Sequence, residues 1–154
     1  MSAPVAPRGR LYHDTPGWVP DGETFHIRIR CDAGQRIAFT EACLALPLID
    51  SVRHYHDRHR WFCRLFLLMP DHLHALIAFP RDKAMSQVIK EWKSYLARQH
   101  QVVWQDGYFD HRIRNRAELE EKAVYIRQNP VAKGLIASST DWRWIVDQQS
   151  LADE

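Results

Sequence analysis

Residues 61–80, Trp61-Phe62-Cys63-Arg64-Leu65-Phe66-Leu67-Leu68-Met69-Pro70-Asp71-His72-Leu73-His74-Ala75-Leu76-Ile77-Ala78-Phe79-Pro80, read as a β-hairpin. Trp61–Leu68 is a nearly continuous apolar and aromatic run, the pattern of a strand covered on both faces. Met69-Pro70-Asp71 is turn chemistry: proline presets φ, and the aspartate side chain can bond its own backbone. Leu73–Phe79 is the return strand, stopped by Pro80. His72 and His74 stand at its start. Side chains alternate along a strand, so both imidazoles fall on one face, with α-carbons about 6.6 Å apart. That spacing lets two ring nitrogens converge on one ion above the sheet. His-x-His alone also describes an ordinary half-exposed pair bonded to water or carboxylates. Here the pair interrupts an apolar run in which packing needs neither ring.

The flanking sequence supplies the rest of a sheet. Thr24–Arg30 alternates and reads as the first strand. Gln35–Arg58 is helical in pattern, with Phe39, Ala42, Cys43, Leu46, Ile49, Val52 and Tyr55 as its apolar stripe. Pro47 lies inside it and predicts a kink or two abutting helices. After the hairpin, Ser86 is a candidate N-cap for a helix reaching Gln99 that buries Val88, Ile89, Trp92 and Leu96. A fourth strand falls within Trp104–Arg114, most clearly Tyr108–Ile113. The order β-α-β-β-α-β is the ferredoxin-like arrangement, an α+β fold whose antiparallel sheet carries two helices on one face. Strands one and three are central there, which places the histidine pair on a rigid element. A further helix follows. Asn115-Arg116-Ala117-Glu118 resembles a capping box, Leu119, Ala123 and Ile126 form a buried stripe, Asn129-Pro130 ends the helix, and Gly134 suits a C-cap. Trp142 and Trp144 pack back on the domain, with base stacking as the alternative role.

The 154 residues are expected to form one domain: an irregular Pro- and Gly-rich arm over 1–22, the core over 23–114, the added helix over 115–130 and a tail over 131–154. Lysine and arginine number 21 against 19 acidic residues, a formal charge of +2, so no polybasic tail drives partner choice. The arginines are grouped locally: Arg28 and Arg30; Arg53, Arg58 and Arg60; Arg112, Arg114 and Arg116. Most read as solvated surface. The strand pairs Arg28/Arg30 and Arg112/Arg114 also suit a phosphate-facing groove. Cys31, Cys43 and Cys63 are scattered and odd in number, which gives neither a zinc knuckle nor a disulfide framework and fits a reducing cytoplasm. The N-terminus lacks the apolar core of a signal peptide, and no apolar stretch reaches bilayer length, so no membrane partner is expected.

The last helix holds what a two-histidine site lacks. Tyr125 and Asn129 are four apart and share a helical face, with β-carbons about 6 Å apart. The Asn129 amide oxygen is a candidate third ligand, and the Tyr125 hydroxyl would stand beside the ion. Two imidazoles and an amide leave coordination positions open, as a catalytic metal requires. A phosphate oxygen can fill one, and Tyr125 is then a candidate nucleophile. Tyr95 and Gln99 form a rival pair with the same spacing. They rank lower because their helix belongs to the sheet-covering unit, beside the stripe that contains Trp92.

Met69-Pro70-Asp71-His72-Leu73-His74, Trp104-Gln105 with Tyr108-Phe109-Asp110-His111, and Tyr125-Ile126-Arg127-Gln128-Asn129-Pro130-Val131 together resemble the REP-associated tyrosine transposases. These are members of the HUH (His, hydrophobic residue, His) single-tyrosine transposases and nucleases. The resemblance covers roughly residues 23 to 144. It implies a ferredoxin-like HUH fold with a catalytic C-terminal helix. It also implies a divalent cation, Mg²⁺ or Mn²⁺, and cleavage and rejoining of single-stranded DNA at REP-like hairpins. The cut leaves a 5′-phosphotyrosine and a free 3′-hydroxyl. Apart from that resemblance, the chain is expected to be a monomer or a homodimer. By the same resemblance His72 and His74 match the metal-binding pair, Tyr125 the nucleophile and Asn129 the ligand one turn on. Asp71 stands where many members have Asn. After Trp144 many members continue Trp-Ser-Ser, whereas this chain has Ile145 and Val146. Paired imidazoles bind Zn²⁺ or Ni²⁺ more tightly than Mg²⁺, so purification can load another ion. Two other classes share these features: a catalytically silent single-strand-binding domain, and a metal-dependent hydrolase that uses water with Tyr125 only structural.

Overall fold

A computed structural model describes residues 16–19, 24–148 and 151 of the chain. Most of the expected N-terminal arm, and the last residues of the tail, lie outside the described residues. The elements run β1 (Thr24–Arg30), α1 (Ala42–Asp57), β2 (Phe62–Leu68), β3 (His72–Ala78), α2 (Met85–His100), β4 (Phe109–Arg112), α3 (Arg116–Ala132), a 3₁₀ turn (Ser139–Asp141) and β5 (Ile145–Asp147). All pairings in the five-stranded sheet are antiparallel, in the order β4-β1-β3-β2-β5. The expected ferredoxin-like core is present, and β3 lies at its centre.

The sheet is covered on both faces, which is why β3 has no exposed residue. Ile27, Ile29, Phe66, Leu68, Leu73, Ala75 and Ile77 face α1 and α2, where Val52, Trp61, Val88, Trp92 and Leu96 complete the larger core. The other face carries Leu65, Leu67, Met69 and Leu76 against Leu119, Ala123 and Ile126 of α3. Burying the Leu119 and Ile126 side chains contributes roughly 1.5–3 kcal/mol each to holding α3 down. A register shift between Cys63 and Leu65, at Arg64, puts Cys63 in one core and Leu65 in the other, two residues apart. Simple alternation would have placed both on one face.

The hairpin turn is pinned from several sides. Met69 N–H donates to His72 O at 2.8 Å, Phe39 N–H to Pro70 O at 2.8 Å and Cys31 N–H to Asp71 O at 3.0 Å. The first histidine therefore enters β3 from a fixed backbone.

Four local expectations are corrected. The first helix starts at Ala42 rather than Gln35 and runs unbroken past Pro47 as one helix. Residues 32–41 form turns instead, and Phe39 is a buried loop anchor. The buried face of α1 is Leu44, Ala45, Leu48, Ser51, Val52 and Tyr55, while Leu46 is 51 % exposed. Apolar residues fill most of 42–49, so spacing alone supports more than one face. The Trp92 indole N–H donates to Ser51 Oγ at 2.8 Å, and Ser51 donates to Leu48 O, which holds the observed face inward. Secondly, the cap of α2 is Ala84, without a side-chain bond, and Ser86 lies inside the helix. Thirdly, α3 continues through Pro130 to Ala132. Its end is closed by Gly134 (φ 72°), with Gly134 N–H to Val131 O and Leu135 N–H to Pro130 O, both 2.9 Å. This paired closure offsets the preference against helix before proline. Fourthly, the tail adds strand β5, with Val146 opposite Phe66 and fully buried. Ile145 and Val146 are the β-branched residues such a strand favours. Trp144 is buried, and the Trp142 indole N–H donates to Leu68 O at 3.0 Å. No helix among the described residues is long and apolar enough to cross a membrane.

Candidate active site

Register fixes which residues meet on the α3 face. Arg28 is opposite His74, Arg30 is opposite His72, and Phe109 is opposite Arg28. Directly paired residues in an antiparallel ladder project to the same side. Arg28, Arg30, His72, His74 and Phe109 therefore share one face, beside Leu67 and Met69 of the α3 core.

The N-terminus of α3 is tied to β4. Asn115 Oδ1 accepts from Glu118 N–H at 2.9 Å, the expected cap. The Glu118 carboxylate reaches one residue further back than a capping box requires. It accepts from Arg114 N–H (3.0 Å), Arg114 Nη2 (2.8 Å) and Arg114 Nε (3.1 Å), and Oε1 is 3.0 Å from His111 Nε2. The Arg114 guanidinium holds this carboxyl down to about 2. From this anchored end α3 runs across the sheet and delivers Tyr125 and Asn129 over β3.

Asn129 is 7 % exposed, and its Nδ2 lies 2.7 Å from His74 Nε2. The Tyr125 ring centroid is 5.8 Å from that of His74, at 86°. Tyr125 is 54 % exposed, so its ring packs on the histidines along one edge and is otherwise open to solvent. His72 and His74 have ring centroids 5.0 Å apart. The four side chains, with Arg28, Arg30 and Lys133, line a cavity of about 450 Å³. Tyr95 and Gln99 are on α2, which packs on the opposite face of the sheet. The topology thus separates two tyrosine pairs that spacing alone did not.

Each imidazole has a partner on Nδ1. His72 Nδ1 lies 2.7 Å from Asp71 Oδ1, and Asp71 Oδ2 is 3.8 Å from Arg30. The hydrogen bond from His72 lowers the Asp71 carboxyl. His74 Nδ1 lies 3.1 Å from Nε2 of a third histidine, His26 on β1. Sequence reading missed His26. It sits within the alternating β1 pattern, and the signal that it joins the site is cross-strand register, which becomes available only once β1 is paired with β3.

Burial dominates the charge state of these rings. It takes His74 down to about 3, with His72, His26, Arg28 and Arg30 adding repulsion. It takes His26 to about 4, helped by Lys122 and Arg28. His72 is also lowered by burial, against the opposing pull of Asp71. All three rings are therefore neutral near pH 7, the form that offers lone pairs to a cation.

Among the described residues no group of three His, Cys, Asp or Glu side chains is placed to hold a metal. The donors that converge are two imidazoles and one amide. The 2.7 Å between Asn129 Nδ2 and His74 Nε2 is close to the roughly 3 Å between neighbouring ligands of a cation bound at about 2.1 Å. Turning the amide would present its oxygen at the same place. Neutral imidazoles and an amide oxygen form a donor set that fits a divalent cation.

The grouped arginines divide. Arg28 and Arg30 border the cavity, and the Arg28 guanidinium lies 4.9 Å from the centroid of Phe109, an exposed aromatic ring. Arg112 and Arg114 do not join them. Arg112 is opposite Phe25, which puts it on the other face of the sheet, and Arg114 is engaged by Glu118.

A family model described as "Transposase IS200 like" matches residues 24–129. The REP-associated tyrosine transposase of Escherichia coli strain K12 is 28 % identical over 80 residues, which are 50 % of this chain and 48 % of that protein. The match thus spans about half the length of that curated relative. A solved REP-associated tyrosine transposase bound to a REP hairpin superimposes with a TM-score of 0.71 at 19 % identity, over 90 % of this chain and 85 % of that one. A proposed transposase from Deinococcus radiodurans R1 gives a TM-score of 0.52 at 15 % identity, over 75 % of this chain and 96 % of its own. At these identities the two structures speak for the fold.

Proposed function

The chain belongs to the IS200-like transposase family, and from that premise we propose that it cuts and rejoins single-stranded DNA through a tyrosine nucleophile. The observation that carries the reading is the meeting of His72, His74, Tyr125 and Asn129, from β3 and α3, around one cavity. A silent binding domain has no need of neutral paired imidazoles beside a half-exposed tyrosine.

His72, His74 and Asn129 are the residues that would hold Mg²⁺ or Mn²⁺, leaving positions open for substrate oxygens. A cation there would polarise the scissile phosphate and stabilise the charge that develops on it. Tyr125 would attack: its ring rests by one edge against His74 and His26, and its exposed side leaves room for a phosphodiester. The Tyr125 oxygen forms a bond to phosphorus as the bond from phosphorus to the 3′-oxygen breaks. The phenol proton is lost and the departing 3′-oxygen gains one. The products are a 5′-phosphotyrosine and a free 3′-hydroxyl, and attack by a 3′-hydroxyl on the adduct reverses the step and joins strands. Arg28 and Arg30 flank the cavity and would hold neighbouring phosphates, while Phe109 offers a face on which a base can stack. The relative solved with a REP hairpin supports a hairpin substrate.

The test is cleavage of a labelled hairpin oligonucleotide, a linear strand and a duplex, with Mg²⁺, Mn²⁺ or chelator. The reading expects metal-dependent cleavage of the single strand carrying a hairpin. It expects none from His72→Ala or His74→Ala, with both variants still folded. Full activity in either variant at ordinary Mg²⁺ would remove the histidine pair from the mechanism.

A further inference from the structure

The third imidazole, His26, has no role in the chemistry above, yet it is 5 % exposed and makes a side-chain contact to the candidate ligand His74. Its ring meets that of His74 edge to edge, with centroids 5.3 Å apart and planes at 25°. Its edges meet Phe109 and Tyr125, at 5.7 and 6.3 Å. His26 does not itself line the cavity. Its Nε2 faces His74 Nδ1 at 3.1 Å rather than the space where an ion would sit.

A neutral imidazole has one N–H and one lone pair, and the partner of one nitrogen decides the role of the other. His74 has a partner on each ring nitrogen. Its Nε2 faces the Asn129 amide, so as placed Nε2 accepts and Nδ1 carries the proton. That proton is directed at His26 Nε2.

We propose that His26 is a positioning residue: by accepting from His74 Nδ1–H, it holds His74 in the tautomer whose Nε2 lone pair faces the site. His72 obtains the same service from a carboxylate, through Asp71. The two candidate ligands are thus oriented by outer partners of different chemistry, one anionic and exposed, the other neutral and buried. Such outer partners fix ring orientation and raise affinity for the ion. The inference rests on the reading of His74 as a ligand, but the tautomer itself can be measured without metal or DNA.

Two variants separate the hydrogen bond from packing. His26→Phe keeps a planar ring and removes the acceptor. His26→Gln places an amide oxygen near the position of Nε2 and restores one. In metal-free protein with ¹⁵N-labelled histidine, two-bond ¹H–¹⁵N correlations report which His74 nitrogen carries the proton. Wild type and His26→Gln should show Nδ1–H, and His26→Phe a mixture with Nε2–H. Titration with Mn²⁺ should show affinity falling by about 10- to 100-fold in His26→Phe and staying close to wild type in His26→Gln. A wild-type His74 protonated at Nε2, or unchanged Mn²⁺ affinity in His26→Phe, would overturn the proposal. If His26→Phe fails to fold, Asn129→Ala decides it: with the amide gone, His26 alone should keep the His74 proton on Nδ1, and a His74 protonated at Nε2 would overturn the proposal. Wild-type protein that does not bind Mn²⁺ at all would count against the proposed function, and the tautomer would then judge His26 separately.

Discussion

Replacing Asn129 by alanine separates two jobs that its amide performs. In the metal-free protein the amide satisfies His74 Nε2 at 2.7 Å, on a ring only 1 % exposed. Leaving a buried polar atom without its partner costs about 1–3 kcal/mol. In a chain of this size each kcal/mol moves the melting temperature by about 2–4 °C. Asn129→Ala should therefore melt about 2–12 °C lower without metal, as a still cooperative fold. The second job is ligation. At a Mn²⁺ concentration 100 times its dissociation constant, wild type gains about 2.7 kcal/mol from the ion. If losing one of three protein ligands weakens binding about 100-fold, the same concentration gives the variant only about 0.4 kcal/mol. The Mn²⁺-induced rise in melting temperature, about 5–11 °C in wild type, should shrink to about 1–2 °C. Scanning calorimetry with and without Mn²⁺ reads both effects from one sample series. An Asn129→Ala protein with the wild-type Mn²⁺ shift would show that the amide is structural and that the ion is held elsewhere.

The arginines that border the cavity should carry the salt dependence of DNA binding. Arg28→Ala and Arg30→Ala should each reduce the slope of log affinity against log salt by about 0.7 for a single strand, whereas Arg112→Ala should leave it unchanged. Equal slopes in all four proteins would refute the groove at Arg28 and Arg30. The latch at the start of α3 should be pH-sensitive in a defined direction. The Glu118 carboxyl is lowered from 4.5 to about 2 in the fold, so its contribution is present above pH 4.5 and is lost as pH falls towards 2. Glu118→Gln should melt below wild type at pH 7, with the gap closing across that window; a gap independent of pH would contradict the assignment.

Where local chemistry was unambiguous, the fold could be read from residues alone. Proline and aspartate between two apolar runs define the β2–β3 turn. Strict alternation over Thr24–Arg30 defines β1, and Asn115 with Glu118 marks the start of α3. The pairing of Tyr125 with Asn129 follows from helical spacing, and its proximity to His72 and His74 followed from the family pattern. Other features depend on contacts between distant segments. Which face of α1 is buried is decided by Ser51 and Trp92, forty-one positions apart, in a stretch apolar on nearly every side. Strand β5 exists because Phe66 and Leu67 leave an edge for Val146 and Ile145 to pair with. His26 looks like any residue of an alternating strand until β1 is laid beside β3. Arg112 and Arg28 look equivalent until register sends them to opposite faces of the sheet.

The central claim is that the Tyr125 oxygen becomes bonded to DNA. Tyr125→Phe removes that one oxygen from a side chain 54 % exposed, so folding and packing should change little. The measurement is trapping of a denaturant-resistant protein–DNA adduct on a hairpin substrate with Mg²⁺ or Mn²⁺, followed by mass spectrometry of the phosphorylated peptide. The account predicts the phosphate on Tyr125 in wild type, no adduct and no cleavage in Tyr125→Phe with DNA and Mn²⁺ still bound, and nearly normal cleavage in Tyr95→Phe. An adduct on Tyr95, undiminished cleavage by Tyr125→Phe, or metal-dependent turnover with no adduct would contradict it, the last of these pointing to water as the nucleophile.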